Sequence, residues 1–405
     1  MATLVARDLE TGPSERAAGR QRILVGVTVP QACLILKGRL RALHEAGFQV
    51  TVVSGPGDLL DRIAASEGVT PVAIPMKRGI APLADLASLV RLWRLVGKLR
   101  PDVVEFSTPK AGLLGTLAAW LRGVPRRVYM LRGLKLETSA GLKRRVLLAA
   151  ERVAARCAHV VLCNSESLRA EALALGIAPA AKLRLLGDGS SNGVDVARFS
   201  PGPTAVRSQL GLLETAKIVG FVGRLTRDKG LPELVEALDQ ILVAEPDTHL
   251  LLVGWYDDSE DGLGAEMRER IGSHPRIHCT GFVSDPLPYY RAMDIMVLPT
   301  WREGFPNAVL EAAATGVPVI TTISTGSRDA VVPEVTGLLI PPGHPEAIAE
   351  AVRTLLGDSA RRRRMGEAAH DWVLKHYVNE RVLKLTTAFY RSLIGSTDGA
   401  PAAAD

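Results

Sequence analysis

Twice along this chain, short apolar runs alternate with amphipathic stretches of helical length, and a proline-bearing linker separates the two series. A run of four to seven apolar residues bounded by Gly, Pro or Asp reads as a strand buried on both faces. Strands joined through helices pair in parallel, so each series predicts a doubly wound α/β sheet. In the first series we expect strands at 22–28, 48–53, 72–75, 102–106, 127–130, 160–163 and 182–186. Helices are expected between them at 36–45, 59–67, 82–99, 112–121 and 142–157. The linker Ser200-Pro201-Gly202-Pro203 follows. The second series places strands at 218–222, 249–253, 277–279, 293–299 and 319–321, with helices at 232–243, 264–271 and 307–315. A last helix covers 378–392. With 405 residues there is room for two domains, each with its own core. Residues 1–20 and 396–405 read as disordered tails.

Composition narrows the classes. Aromatic residues make up 4% of the chain, too few for the stacking platforms of nucleic-acid binders. Cys33, Cys157, Cys163 and Cys279 form no CxxC pair and no His-partnered spacing, so we expect reduced core cysteines in a cytosolic protein. Residues 1–20 carry charges of both signs and no apolar core of a signal peptide. The apolar run 111–121 stops at Arg122, short of the roughly 20 residues of a membrane span. Charge is uneven: residues 1–200 carry a net +13 and residues 201–405 a net −7. A basic first half points to an anionic surface or substrate.

The chemistry is densest at Trp301-Arg302-Glu303-Gly304-Phe305-Pro306-Asn307, which leads from a strand into a helix that carries Glu311. The carboxyl end of a strand entering a helix N-terminus is where α/β sheets bind ligands and where exposed amides attract anions. Two carboxylates flanking a phosphate site suit hydroxyls better than phosphate, which together describe a nucleotide sugar. A second loop, Gly223-Arg224-Leu225-Thr226-Arg227-Asp228-Lys229-Gly230, follows the first strand of the second series. Breaking a sugar–phosphate bond leaves negative charge on the diphosphate. A guanidinium can grip two oxygens at once, and an ammonium adds a point charge. The acidic run Asp257-Asp258-Ser259-Glu260-Asp261 lacks D-x-D spacing and reads as a solvated surface loop, not a metal site. Gly187-Asp188-Gly189-Ser190-Ser191-Asn192-Gly193 nearly spells a dinucleotide fingerprint, but no apolar helix follows it, and we reject that reading.

The 303–311 stretch resembles the E-x7-E signature of family 4 retaining glycosyltransferases, which have the GT-B fold: two Rossmann-like domains facing across a cleft. The resemblance spans roughly residues 22–392. It is nearest to the bacterial branch that assembles polysaccharide repeat units on a lipid carrier, through residues 75–82, 108–115 and 127–134. It implies an acceptor-binding domain at 21–198, a nucleotide-sugar domain at 199–376, and a helix at 377–395 returning to the first domain. It implies that Arg224 and Lys229, with Gly223, hold the diphosphate. Glu303 and Gly304, Phe305, Pro306 and Asn307 would hold the sugar and its phosphate, and Glu311 the ribose. Phe282 and Val283 would meet the base. It implies metal-independent transfer from a UDP-type donor, with no cofactor. Lys110 and Arg132 are the candidate acceptor contacts. Two departures stand out. Val29-Pro30-Gln31 occupies the place of a Gly-Gly loop, and Arg132-Gly133 the place of His-Gly. An arginine cannot act as a base. The basic helix 142–157, with Lys143, Arg144, Arg145, Arg152 and Arg156, has its apolar side at Leu142, Val146, Ala149, Val153 and Cys157. With the +13 half, it suggests peripheral docking on the cytoplasmic membrane face and a polyprenyl-diphosphate-linked acceptor. The alternatives are a soluble small-molecule acceptor, a nucleotide-sugar epimerase and a non-catalytic sugar-nucleotide binder. The sugar, the base, the linkage and the oligomeric state are open.

Overall fold

The computed structural model describes residues 20–395. In chain order the elements are β1 (Arg22–Gly26), α1 (Arg39–Glu45), β2 (Gln49–Ser54), α2 (Asp58–Glu67), β3 (Thr70–Ala73), α3 (Pro82–Leu99), β4 (Val103–Ser107), α4 (Pro109–Leu121), β5 (Arg126–Leu131), α5 (Gly141–Cys157), β6 (Val160–Cys163), α6 (Glu166–Ala174) and β7 (Leu183–Leu185). Then follow α7 (Val206–Gln209), β8 (Lys217–Val222), α8 (Leu231–Ala244), β9 (Thr248–Val253), α9 (Ala265–Ser273), β10 (Ile277–Cys279), α10 (Leu287–Tyr290), β11 (Ile295–Leu298), α11 (Asn307–Ala314), β12 (Val319–Thr322), β13 (Gly337–Ile340), α12 (Pro345–Gly357), α13 (Ser359–His376) and α14 (Asn379–Gly395).

These elements form two compact units. Unit 1 gathers the described residues up to Asn164, Arg169–Asn192 and those from Val382 on; unit 2 holds Ser165–Leu168 and Gly193–Arg381. Unit 1 is a seven-stranded sheet in the order β3-β2-β1-β4-β5-β6-β7, and unit 2 a six-stranded sheet in the order β10-β9-β8-β11-β12-β13. Every strand pair is parallel. The strand order reverses between β1 and β4 in unit 1 and between β8 and β11 in unit 2, and the crevice beside such a reversal is where these sheets bind ligands.

Alternating strand residues feed the two faces of the unit 1 sheet. Ile23, Val25, Val50 and Val52 pack with α1, α2 and with Phe389, Tyr390 and Leu393 of α14. Leu24, Val53, Val104 and Phe106 pack with α3 and α4. In unit 2 the sheet and its helices share one continuous core.

Four sequence expectations change. The first helix does not start at 36: Pro30–Leu36 forms a 3-10 turn, and Gly38, at φ 79°, breaks the chain before α1. Only glycine adopts that conformation without strain. This turn stands where the Gly-Gly loop was missed. Helix α4 starts at Pro109, three residues early, because a proline suits the first turn. Helix α5 buries a different side from the one expected. Leu142, Val146 and Val153 are exposed, while Glu151, Ala154, Ala155 and Cys157 are buried. The buried Glu151 is accommodated by the Tyr129 hydroxyl, which donates to it at 2.5 Å, and burial raises its pKa to about 7. Finally, Cys279 is exposed, unlike the other three cysteines. Both tails expected to be disordered fall almost wholly outside the described residues. No helix of the described residues is long and apolar enough to cross a membrane.

Candidate active site

In unit 2 the two loops singled out by sequence meet at the strand reversal. The 223–230 loop leaves β8, and the 299–306 loop leaves β11, its sheet neighbour. Gly230, at φ 74°, ends the first loop; a Cβ there would lie 2.1 Å from the Pro299 carbonyl oxygen. The loops can press together this closely only because that residue has no side chain. The Asp228 carbonyl then accepts from the Trp301 amide at 3.0 Å and from the buried Thr300 hydroxyl at 3.1 Å. Behind the second loop, the Glu303 amide donates to the Thr325 carbonyl at 3.0 Å, which fixes the direction of the carboxylate.

Three cation–carboxylate pairs fill this edge. Lys229 Nζ lies 2.5 Å from Glu303 Oε1. Arg224 donates to Asp257 at 2.7 Å and stands 3.9 Å from Asp228. Arg302 donates to Asp228 at 2.8 Å. Burial pulls the Asp228 carboxyl upward, but Lys229, Arg302 and the Thr226 hydroxyl outweigh it, and its pKa lies below the ordinary value. Asp257 behaves alike: burial is outweighed by the Arg224 bond and the Ser259 amide. Asp257 is therefore not a solvated loop residue, as its sequence context implied; it is buried and holds the guanidinium of Arg224 in place. Arg224, Lys229 and Glu303 are thus brought together, and Asp228, Asp257 and Arg302 are supporting residues that the motif reading passed over.

The rest of the candidate donor set lies around this cluster. Gly223 precedes Arg224 at the end of β8, and its carbonyl oxygen leaves no room for a side chain at Gly254, the residue after β9. Gly304, Phe305 and Pro306 are buried, and Asn307 opens α11, whose first turn has no side-chain cap. The N-terminal end of a helix favours an anion through its dipole. Glu311 is half-buried one turn further along and accepts from the Tyr290 hydroxyl at 2.9 Å. Burial raises its pKa to about 7. Tyr290 belongs to the short helix α10, which sequence periodicity missed. Phe282, 62% exposed, follows β10 and meets the Trp255 ring edge-on at 5.5 Å; Val283 packs against the unit 2 core. A cavity of about 340 Å³ opens at the opposite, N-terminal strand ends, lined by Asp294, Gly316, Ser359 and Arg362, and shares nothing with these residues.

In unit 1 the reversal between β1 and β4 is closed by hydroxyls. Thr28 and Thr108 bond to each other at 2.7 Å, and the Ala111 amide donates to Thr28 at 3.1 Å. Thr108 has φ 68°, a conformation a β-branched residue adopts only when its surroundings enforce it. The two acceptor candidates differ sharply. Lys110 lies in the first turn of α4, not in a loop, and its ammonium is bound by Asp85 at 2.6 Å. That pair satisfies the charge, so Lys110 is not the open cation expected from sequence. Arg132 follows β5, and its Nε and Nη2 are buried without a hydrogen-bond partner among the described residues. Burial lowers its pKa to about 10, and nearby Arg39 adds to the effect. Arg39 itself is buried; its Nη2 is bonded, while its Nε has no hydrogen-bond partner among the described residues. It pairs with Glu105 of β4 and donates to the Tyr390 hydroxyl of α14 at 3.2 Å, while Tyr390 donates to Glu105.

Two parallel sheets, each with a strand reversal and one with a paired cationic edge beside it, are the architecture of two-domain α/β transferases. The comparisons agree. Residues 38–189 match the glycosyl transferase 4-like domain, and residues 216–358 match the model of glycosyl transferases group 1. A capsular polysaccharide biosynthesis glycosyltransferase, CapM of Staphylococcus aureus, is 33% identical over 380 residues, covering 94% of this chain and 99% of the relative. The Escherichia coli UDP-Gal:α-D-GlcNAc-diphosphoundecaprenol α-1,3-galactosyltransferase is 30% identical over 65% of this chain and 68% of its own length. Among solved structures, sucrose-phosphate synthase of Thermosynechococcus elongatus superposes with a TM-score of 0.77 at 25% identity, over 92% of this chain and 99% of the other. The chain belongs to the family 4 glycosyltransferases, of GT-B fold, and is an enzyme of that class.

Proposed function

We propose that this enzyme transfers a hexosyl or N-acetylhexosaminyl group from a UDP-sugar to a lipid-linked sugar acceptor in polysaccharide assembly, with retention at the anomeric carbon and without a metal. The observation that carries this reading is the Lys229–Glu303 pair at 2.5 Å, beside Arg224, at the reversal of the unit 2 sheet. The S. aureus relative, named for capsular polysaccharide, and the E. coli relative, named for a UDP donor and a diphosphoundecaprenol-linked acceptor, support the choice of donor and acceptor.

The chemistry follows from the residues. An acceptor hydroxyl oxygen bonds to the anomeric carbon as the carbon–phosphate-oxygen bond breaks on the same face. The leaving diphosphate takes up the hydroxyl proton, so no protein base is required, and Arg132 is compatible with the site. Charge grows on the diphosphate. Arg224, already aimed by Asp257, and Lys229 neutralise it, and the N-terminal dipole of α11 adds to them. When the diphosphate arrives, Lys229 exchanges Glu303 for a phosphate oxygen, and Glu303 is released to accept from sugar hydroxyls. Glu311 accepts from the ribose, and Phe282 and Val283 meet the base. Arg132 receives an anionic group of the acceptor. The basic first half favours a peripheral position on an anionic membrane face.

The test is transfer from UDP-glucose, UDP-galactose and their N-acetyl analogues to a polyprenyl-diphosphate sugar. The product's anomeric configuration is read by NMR, with and without EDTA. An inverted product, EDTA-dependent turnover, or near-wild-type rates in both Glu303→Ala and Lys229→Ala proteins contradicts the reading.

A further inference from the structure

We infer that the outward face of α3 in unit 1 is a docking surface for a bilayer with anionic headgroups. This adds a membrane-contacting element to the proposed lipid-linked acceptor reading, and its test is separable from that reading.

Helix α3 is apolar on two sides. Leu92 and Val96 are buried in the core it shares with α4. On the other side Leu83 is 87% exposed and Leu86 59%, and Val90 is exposed as well; Trp93 continues the stripe with the Arg122 guanidinium stacked on its ring, and Ile80, in the turn before the helix, is 65% exposed. Positions 83, 86, 90 and 93 fall on one stripe of a helix. A soluble protein rarely leaves such a stripe to water without a use for it.

The charges around the stripe select the partner. Lys77 and Arg78 precede the helix, Arg91, Arg94 and Lys98 flank its exposed side, and all five are exposed. The helix's single acid, Asp85, is taken up by Lys110. An apolar stripe edged by Arg and Lys is the pattern of a helix lying in a membrane interface, its apolar side chains among the acyl chains and its cations at the phosphates. A second copy of the chain fits poorly, because a two-fold contact would set the basic rims against each other. The same layer continues through α4 to α5, where Leu142, Val146 and Val153 are exposed among Arg144, Arg145, Arg152 and Arg156. Moreover, the N-terminal end of α3 lies at the carboxyl edge of the sheet, the side that takes ligands, and the Lys110–Asp85 pair ties it to the first turn of α4. A carrier lipid held in that bilayer would present its sugar on the ligand side of unit 1.

The experiment is vesicle flotation of the full chain, with phosphatidylcholine vesicles and with vesicles containing phosphatidylglycerol. The wild type is expected to float only with the anionic vesicles. Raising salt from about 0.1 M to about 1 M, which shortens the screening length from about 10 Å to about 3 Å, should remove part of the binding and leave an apolar remainder. The variant Leu83→Ser/Leu86→Ser should lose that remainder and bind about tenfold more weakly at low salt, with an unchanged melting temperature. The variant Lys143→Ser/Arg144→Ser/Arg145→Ser should lose only salt-sensitive binding. Transfer to a short-chain, water-soluble isoprenyl-diphosphate sugar should be equal in wild type and Leu83→Ser/Leu86→Ser. Loss of that transfer in the wild type contradicts the acceptor reading but leaves docking standing. Wild type that does not float, or a double-serine variant that floats as well as wild type, overturns the docking surface. So does a concentration-dependent dimer abolished by the double-serine change in a protein that binds no vesicle.

Discussion

The carboxyl edges of the two sheets handle charge in opposite ways. In unit 2, Arg224, Lys229 and Arg302 each face a carboxylate at 2.5 to 2.8 Å. In unit 1, among the described residues, Arg132 buries two nitrogens with no hydrogen-bond partner, while its neighbour Arg39 is bonded through Nη2 to Glu105 and Tyr390 and leaves only its Nε unpartnered. A largely buried cation with no bonded carboxylate is destabilising, and for Arg132 the nearby Arg39 adds to that cost while the field of Glu105 offsets part of it. The contrast teaches that the two edges hold their cations differently. On the proposed function, unit 2 keeps its cations aimed by pairing them with carboxylates that a diphosphate would replace, and unit 1 keeps Arg132 without a bonded carboxylate, at a cost in stability, for an acceptor anion that would bring its own charge.

The largest effects are expected at the paired edge. Lys229→Ala and Glu303→Ala should each lower kcat by roughly 10²–10³-fold, the usual loss when one group facing developing charge is removed. Melting temperatures should fall in both, because each change leaves the other member of a pair that is only 16% and 14% exposed without its counter-charge. Steady-state kinetics with calorimetric melting checks both outcomes.

Next comes the bare cation. Arg132→Met should raise the acceptor KM by about tenfold, as expected for a lost charge-assisted hydrogen bond, and leave donor hydrolysis unchanged. It should also stabilise the folded protein by roughly 1 kcal/mol, since a buried unpaired charge is replaced by an apolar chain of similar length. Denaturant unfolding measures this. A destabilised Arg132→Met protein would break the comparison, because it would mean that Arg132 already has a partner.

A smaller effect belongs to the paired neighbour, Arg39. Tyr390→Phe removes the hydroxyl shared by Arg39 and Glu105 and should lower stability by about 1–2 kcal/mol with kcat retained. Loss of activity on that change would mean that the Arg39–Glu105–Tyr390 network positions Arg132.

The mildest test is pH, and each unit has its own reporter. Burial, reinforced by Arg127, lowers the pKa of His159 in unit 1 to about 4, and burial with His278 and Arg276 does the same for His249 in unit 2. Both imidazoles stay neutral in the fold where an unfolded chain takes up a proton. Their contribution is therefore complete above about 6.5 and is lost as pH falls from there to about 4. His249→Asn should flatten the fall for unit 2 and leave that of unit 1. Chemical denaturation across that range, followed separately in each unit by hydrogen exchange, reads the difference.

The same two edges explain what was legible in the sequence. The strands were legible because parallel strands buried on both faces are continuous apolar runs, such as Val160–Cys163. Periodicity did not reveal β13, α6 or α10, which are short; α12, with Pro345 at its start and a regular apolar face, carried a signal that went unread. The side buried by α5 was misread because Glu151, polar by type, is the residue that faces Tyr129. Arg224, Lys229 and Glu303 were legible because they sit in local motifs. Asp257 was not, since its partner lies 33 residues away and only the fold joins them. Lys110 and Arg132 looked equivalent as loop cations. Asp85, 25 residues before Lys110, separates them, and no local pattern announces such a pair.

The division of labour between the edges is tested most directly by calorimetric titration of UDP into wild type, Lys229→Ala and Arg132→Met. If unit 2 holds the diphosphate and Arg132 waits for the acceptor, Kd should rise by about ten- to a hundredfold in Lys229→Ala and stay at the wild-type value in Arg132→Met. Equal affinity in all three proteins, or a loss confined to Arg132→Met, would contradict it.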